Sequence, residues 1–215
     1  MDKESKINNF SLALGLFDYI NPIFYCITSI TIIKNLYLYM DKPLFILMVI
    51  GQMLSMIFGL SIPTVKCIVG LGKMKFKMPV NLVFYVNTGI FITGLSIFTF
   101  VFNVSLWIML AVIDAVLISL FIIYKKSKKF NTVAVLIGMA GYLMIYSSLL
   151  SYAIKANYFV SIIMYAIAIF LFMFLVLVGC KANLKDARVH WVIEISNVIC
   201  QGLVAISSIL LFLNI

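Results

Sequence analysis

Long apolar stretches separated by short polar runs form the dominant pattern of the sequence. Seven of these stretches are close to the roughly 20 residues that an α-helix needs to cross the hydrocarbon core of a bilayer. The pattern predicts an all-α polytopic membrane protein, a bundle of about seven transmembrane helices forming a single integral-membrane domain, residues 1–215. The predicted spans are about 11–33, 43–62, 79–101, 104–124, 131–154, 158–179 and 190–213.

Composition supports this fold class. Hydrophobic residues make up 65% of the chain and charged residues only 11%, whereas soluble domains are roughly 45–50% apolar. A water-soluble fold of this length could not bury so much apolar surface. The lipid bilayer is therefore the first partner that the sequence predicts.

The segment after the second predicted span is ambiguous. We expect Pro63 to kink or end that span, because proline removes a helical hydrogen bond. The remaining residues, 63–72, are too short to cross a bilayer alone. The sequence leaves open whether 63–72 forms a re-entrant or interfacial segment.

The positions of the basic residues predict the orientation. Thirteen of the sixteen lie in the amino-terminal tail or in the polar runs at 66–77, 125–129 and 181–188, whereas only Lys34, Lys42 and Lys155 lie on the other side. Because Lys and Arg accumulate in cytoplasmic loops, we expect a cytoplasmic amino terminus.

We also expect the protein to reside in the plasma (inner) membrane of a bacterium. The net charge of +9 does not indicate nucleic-acid binding, since the charges border spans rather than forming one patch.

The last span carries a polar stripe, in the stretch "HWVIEISNVICQ". His190, Glu194, Asn197 and Gln201 are spaced four, three and four residues apart, so they share one face of a helix, which Ser208 continues. Lipid does not tolerate such a face, which we expect to point into the bundle or a water-filled cavity. Alternatively, the amides are only packing residues that hydrogen-bond neighbouring helices.

Acidic residues inside spans are the strongest functional signal. A charged side chain at mid-span costs roughly 2.5–3.5 kcal/mol on insertion scales. Asp114 lies near the middle of the fourth span and Glu194 in the seventh, and no Lys or Arg is expected at similar depth. We therefore predict that these two acids approach each other across a hydrated cavity. Asp18 is a weaker signal, since the stretch from Asp18 to Pro22 is also typical of a break between an interfacial helix and the first span.

Small and amide side chains in the other spans suggest packing and further site residues. Gly51, Ser55 and Gly59 form a small-residue ridge on which another helix can pack closely. Gln52 flanks this ridge, and Asn87 lies in the third span. The predicted solute- or ion-binding residues are Asp114, Glu194, Asn197, Gln201, Asn87 and Gln52.

Several catalytic chemistries have no support in the sequence. A single histidine excludes a zinc site with two or three His ligands from one chain. His190 and Glu194 are four residues apart and could share a metal, but two ligands are a weak basis for a site. The chain has no nucleophile elbow and no phosphate-binding loop. No catalytic residue, metal or cofactor is predicted.

Three short stretches resemble the YhhN-type lysoplasmalogenase family of small membrane hydrolases. "DKPLFIL" at 41–47 resembles the Lys-Pro-Leu entry to that family's second helix, and "AIFLFM" at 168–173 followed by "NVICQGLVAIS" at 197–207 resembles its carboxyl end. The resemblance implies a polytopic helical fold. The family's acidic motifs have no counterpart in "FGLSIP" at 58–63 or "FLVLVG" at 174–179, so no catalytic residue is carried over.

These observations favour transport or binding of a small polar or cationic solute, with a coupling ion as a possible second ligand. An intramembrane lipid hydrolase, as the resemblance implies, is the alternative from another class. A membrane sensor or assembly subunit is a third hypothesis, and a homo-oligomer or a protein partner stays open. The sequence favours a protein that is not an enzyme.

Overall fold

The computed structural model describes residues 11–72, 80–126, 130–181 and 187–213, which are helical apart from short turns. The prediction of an all-α protein is confirmed for these residues. Eight helices lie in the described ranges: α1 Leu12–Asp18, α2 Ile20–Leu36, α3 Lys42–Gly70, α4 Val80–Val101, α5 Leu106–Lys126, α6 Phe130–Lys155, α7 Phe159–Lys181 and α8 Ala187–Leu213.

Six helical stretches among the described residues are long and apolar enough to cross a membrane. Helices α1 and α2 together supply one of them, Leu12–Leu36, and α3, α4, α6, α7 and α8 supply the others. Helix α5 contains a shorter apolar stretch, Leu106–Leu120.

The first apolar stretch is broken at the position that the sequence indicated. The Ser11 hydroxyl caps α1 by accepting a hydrogen bond from the Leu14 amide at 3.2 Å, as is common for serine before a helix. Helix α1 ends at Asp18 and α2 begins at Ile20. The chain is therefore interrupted only at Tyr19, whose backbone angles stay helical (φ −64°, ψ −22°), and the predicted interfacial placement of the residues before it stays a prediction.

Helix α3 is longer than the sequence predicted. It continues through Pro63 to Gly70, so residues 63–70 extend the second span and form no separate re-entrant or interfacial turn. The helix persists because α1 packs against its last turns: a methyl group added to Gly15 would lie only 2.8 Å from the Cys67 backbone nitrogen. Proline has no N–H, so the Gly59 carbonyl lacks its usual helical donor.

Six helices form a closed ring. In order around it, α2 packs against α3, α3 against α4, α4 against α6, α6 against α7, α7 against α8, and α8 against α2. Helix α1 packs mainly on α3, and α5 lies outside the ring with only light contacts to α4 and α6.

Small residues allow the closest helix contacts. A methyl group on Gly51 would lie 2.7 Å from the Gly89 carbonyl oxygen, and the Ser55 hydroxyl lies where a methyl group on Gly89 would go, so this part of the predicted ridge packs α3 on α4. Gly94 likewise contacts Gly141 between α4 and α6. Gly59 is different, since nothing lies within 4 Å of an added methyl group.

Helices α4 and α6 are parallel. Ile90 contacts Gly141 in their middle, and at their carboxyl ends the Lys155 ammonium donates to the Val101 carbonyl oxygen at 3.1 Å. Since α5 connects the carboxyl end of α4 to the start of α6, it runs back along the outside of the ring. Left-handed residues, Asn103 (φ 52°) and Asn157 (φ 55°), end α4 and α6, as asparagine often does after a helix.

The interior of the ring differs between its two ends. At the carboxyl ends of α2, α4 and α6, hydroxyl side chains such as Thr99 and Ser161 are buried, but most of the interior is filled by buried apolar side chains. Examples are Leu36, Val101 and Ala153, with Leu44 from the start of α3 and Leu211 from the end of α8. At the opposite end the buried residues include charged and amide side chains.

Overfilling the α4–α6 contact should destabilise the protein. In the Gly141→Val variant the side chain would meet the Ile90 backbone. Even a single methyl carbon added to Gly141 would lie only 2.7 Å from the Ile90 carbonyl group. Overpacking of this kind costs about 1–3 kcal/mol. We expect thermal unfolding in detergent to occur at a clearly lower temperature than in the wild type. Gly59→Ala is the matched control, and an equal loss in both variants would contradict the assignment of the contact.

Candidate functional site

Three charged side chains meet inside one end of the ring. The Lys66 Nζ atom lies 2.7 Å from Asp18 Oδ2 and 2.6 Å from Glu194 Oε1. The exposed fractions of these residues are 6% for Asp18 and 7% for Lys66 and Glu194. They belong to α1, α3 and α8, so this ion cluster (Asp18, Lys66 and Glu194) joins three separate helices.

Asn21 connects the two carboxylates of the ion cluster. Its Nδ2 atom donates to Glu194 Oε2 at 3.0 Å and to Asp18 Oδ1 at 3.3 Å. Its carbonyl oxygen, Oδ1, is buried and has no hydrogen-bond partner among the described residues. A buried acceptor without a donor costs free energy.

Helix geometry explains why these residues meet. Asp18 ends α1, Lys66 lies four residues before the end of α3, and Glu194 lies seven residues after the start of α8. At 1.5 Å per residue, Lys66 and Glu194 lie roughly 6–10 Å inside the ends of their helices. All three helix ends lie on the same side of the bundle.

A cavity of about 240 Å³ adjoins the ion cluster. Gly59 and Pro63 contribute to its wall from α3, and the missing side chain of Gly59 leaves part of the space open. The Gly59 carbonyl, which Pro63 deprives of its helical donor, adds a backbone acceptor on this face. The lining residues are Asp18, Asn21, Pro22, Tyr25, Ser55, Gly59, Ile62, Pro63, Lys66, Val86, Ile90, Tyr142, Glu194, Asn197 and Gln201.

Two tyrosines form the aromatic side of the cavity. The rings of Tyr25 and Tyr142 have centroids 6.3 Å apart in an edge-on arrangement. An aromatic face attracts a cation within about 6 Å of its centroid. The cavity therefore combines carboxylates at one end with aromatic rings, hydroxyls and amides elsewhere.

The structure brings together three of the predicted site residues. Glu194, Asn197 and Gln201 all line the cavity, as the polar stripe on the last span indicated. Ser208, on the same stripe, instead shares a hydrogen bond with the Tyr165 hydroxyl of α7 at 2.9 Å. The side chain of His190 lies outside the described residues.

Asp114 lies elsewhere, and the prediction that it approaches Glu194 across a cavity is wrong. Helix α5 runs outside the ring and turns Met109, Ile113 and Leu120 toward it. Asp114 is exposed on the outer side of α5.

The other two predicted site residues are buried near the site or used for packing. Gln52 is 1% exposed, and neither atom of its amide has a partner among the described residues, but it does not line the cavity. The Asn87 amide donates to the Val83 carbonyl oxygen at 2.7 Å, and its side chain contacts Gly138 of α6. Asn87 therefore serves helix packing.

Lys66 and Asn21 were missed by sequence reasoning, and Asp18 was underrated. The expectation that no basic residue lies at the depth of Glu194 is wrong, because α3 extends past Lys66 by another turn. The signal was present in "PTVKCIVGLG", where apolar residues continue on both sides of the lysine. Asn21 follows Asp18 by three residues, a spacing that places two side chains on one helix face.

The charges and donors of the site favour binding over covalent chemistry. With all three groups ionised, the ion cluster carries a net charge of −1. Removing one partner from a buried ion pair leaves an uncompensated charge and is strongly destabilising. Among the described residues, no group of three or more His, Cys, Asp or Glu side chains could hold a metal ion.

Comparison with known proteins found no family model that matches the chain, no similar curated protein and no similar solved structure. The resemblance to YhhN-type lysoplasmalogenases therefore stays a prediction, and the function must be argued from the site.

Neutralising Lys66 should destabilise the fold. In Lys66→Met the two carboxylates lose their shared counter-ion, and we expect a loss of about 3–5 kcal/mol in the free energy of unfolding. Lys155→Met, which removes only a hydrogen bond to a backbone carbonyl, is the matched control and should lose much less. Chemical unfolding in detergent measures both.

A combined variant checks the cause of that loss. When Asp18→Asn and Glu194→Gln are added to Lys66→Met, the uncompensated charges disappear, so much of the stability should return. No recovery in the triple variant would mean that Lys66 acts through packing and not through charge.

Proposed function

We propose that this protein binds a small polar or cationic solute in the cavity beside the ion cluster and carries it across a membrane. The observation that carries the proposal is the cavity itself. It places two carboxylates, amides and two tyrosines around one partly open cavity.

The size of the cavity limits the solute. About 240 Å³ corresponds to about eight waters at roughly 30 Å³ each. Sites for drug-sized ligands are larger, roughly 300–1,000 Å³. The excess negative charge of the ion cluster and the tyrosine rings favour a solute that is polar and neutral or positively charged.

Transport, in addition to binding, is supported by the contrast between the two ends of the ring. The cavity lies in the polar end, whereas packed apolar side chains such as Leu36 and Val101 fill the other end. A solute site that is closed toward one side is one half of an alternating-access cycle. Opening the apolar end would then expose the same site to the opposite side.

The proposal includes seven membrane crossings with a cytoplasmic amino terminus. The parallel arrangement of α4 and α6 supports a crossing by α5, which has to return along the bundle between them. The described helix ends that border the basic segments at 73–77, 125–129 and 181–188 in the sequence lie on the side of the ion cluster. By the distribution of Lys and Arg, that side is the cytoplasmic one.

Hydrolysis is less well supported than binding. A general base needs a free oxygen to take a proton from water. Each Glu194 oxygen already accepts a hydrogen bond, Oε1 from Lys66 and Oε2 from Asn21, so a water would have to compete for the remaining lone pairs.

Solute binding can be tested by ligand-induced stabilisation. A panel of small amines, amino acids, quaternary ammonium ions and sugars would be added to purified protein. A solute at about 100 times its Kd raises the free energy of unfolding by about 2.7 kcal/mol. We expect at least one such shift, and we expect it to shrink in Asn197→Ala and Gln201→Ala. Asn87→Ala is the control, because Asn87 lies outside the cavity; a shift unchanged in all three variants would place binding elsewhere.

The proposed topology can be tested by cysteine labelling. In a background with the native cysteines replaced by serine, Phe102→Cys and Ala156→Cys should react with a membrane-impermeant maleimide in intact cells. Ser127→Cys, which follows α5 in the sequence, should react only after permeabilisation if α5 crosses the membrane. Equal labelling of Phe102→Cys and Ser127→Cys in intact cells would contradict a crossing by α5.

A further inference from the structure

The Lys66 side chain shows which chemistry the acidic end of the cavity accommodates. A primary ammonium group has three N–H donors and no acceptor. In this structure it lies 2.7 Å from Asp18 Oδ2 and 2.6 Å from Glu194 Oε1, which are lengths of charge-assisted hydrogen bonds. The position between the two carboxylates is therefore already built for a primary ammonium group.

The two carboxylates are held by different parts of the fold. Asp18 lies on α1, which is joined to the last turns of α3: Tyr19 and Thr64 share a hydrogen bond of 2.7 Å, and Gly15 packs on Cys67. Asp18 and Lys66 therefore belong to one packed unit. Glu194 belongs to α8, which packs mainly on α2 and α7.

A weak point of α3 lies between Lys66 and the rest of the ring. Gly51 and Ser55 fix the earlier part of α3 to α4, and α1 covers its last turns. Between them, Pro63 removes the hydrogen bond to the Gly59 carbonyl, and proline is a common place for helices to bend. Bending there would move the last turns of α3, which carry Lys66, relative to Glu194.

We propose that the solute is a primary ammonium compound that takes the place of the Lys66 ammonium on Glu194, while Asp18 keeps Lys66. This inference rests on the proposed function, since it names the solute class for the same cavity. Glu194 is then the solute-binding carboxylate. Asp18 is a positioning residue that holds the Lys66 ammonium group, which is the internal competitor of the solute. When the solute leaves, the Lys66 ammonium returns to Glu194 and bridges both carboxylates again.

The test uses n-butylammonium, which copies the end of a lysine side chain. Tetramethylammonium has the same charge without N–H donors, and n-butanol has the same chain without the charge. Binding to purified full-length protein in detergent is measured by calorimetry and by the shift in thermal unfolding. The variants are Lys66→Ala, Asp18→Asn and Glu194→Gln, with Lys155→Ala as the matched lysine control.

We expect n-butylammonium to bind the wild type and to bind Lys66→Ala at least tenfold more tightly, because the internal competitor is gone. Lys155→Ala should behave as the wild type. Asp18→Asn should bind at least tenfold more weakly, because Lys66 then turns entirely to Glu194, and Glu194→Gln should lose binding. Neither tetramethylammonium nor n-butanol should reproduce these effects.

Several results would overturn the inference. Equal effects of tetramethylammonium and n-butylammonium would show a response to charge alone. Failure of n-butylammonium to bind the wild type and Lys66→Ala would also contradict it, as would equal losses in Asp18→Asn and Glu194→Gln. If Lys66→Ala does not fold, n-butylammonium binding by Asp18→Asn and Glu194→Gln, which keep the size of the side chain, tests the inference instead. A panel solute without an ammonium group that binds in the cavity would overturn this inference alone, whereas no binding by any panel member would overturn the proposed function as well.

Discussion

The placement of one lysine between two buried acids is the constraint on which the rest of the structure depends. Charges removed from water are stable only when they are paired and hydrogen-bonded, and Lys66 meets both carboxylates while Asn21 donates to both. Because the partners come from α1, α3 and α8, the pairing fixes how these helices approach. The cavity exists beside the ion cluster because the same polar side chains cannot turn toward lipid.

Packing provides the frame within which this pairing is possible. The α3–α4 and α4–α6 contacts are built from glycine and serine, which bring backbones close without apolar bulk. In lipid, close backbone contact replaces the hydrophobic effect as the source of helix association. Gly59 continues the same series of small residues in the sequence, but no atom lies within 4 Å of a methyl group added there. The space beside Gly59 is part of the cavity.

The sequence predicted most of the helices, since their signal is local: apolar length and flanking charge. It also predicted that Glu194, Asn197 and Gln201 share a face, because one helix determines that spacing. It could not predict that Asp18 and Lys66 complete the site, since their meeting depends on packing between helices far apart in sequence. Asp114 was misjudged for the same reason: the sequence shows its depth within a helix but not whether that face turns inward.

Helix α5 has a consequence for the surrounding membrane. Its outer surface exposes apolar side chains such as Trp107 and Ile118, with the Asp114 carboxyl among them. A carboxyl facing hydrocarbon is tolerated through local thinning of the bilayer and entry of water from the headgroup region. With α5 crossing the membrane as proposed, the bilayer next to it should be thinner and wetter than around the rest of the protein, so that the protein shapes the bilayer on one side only.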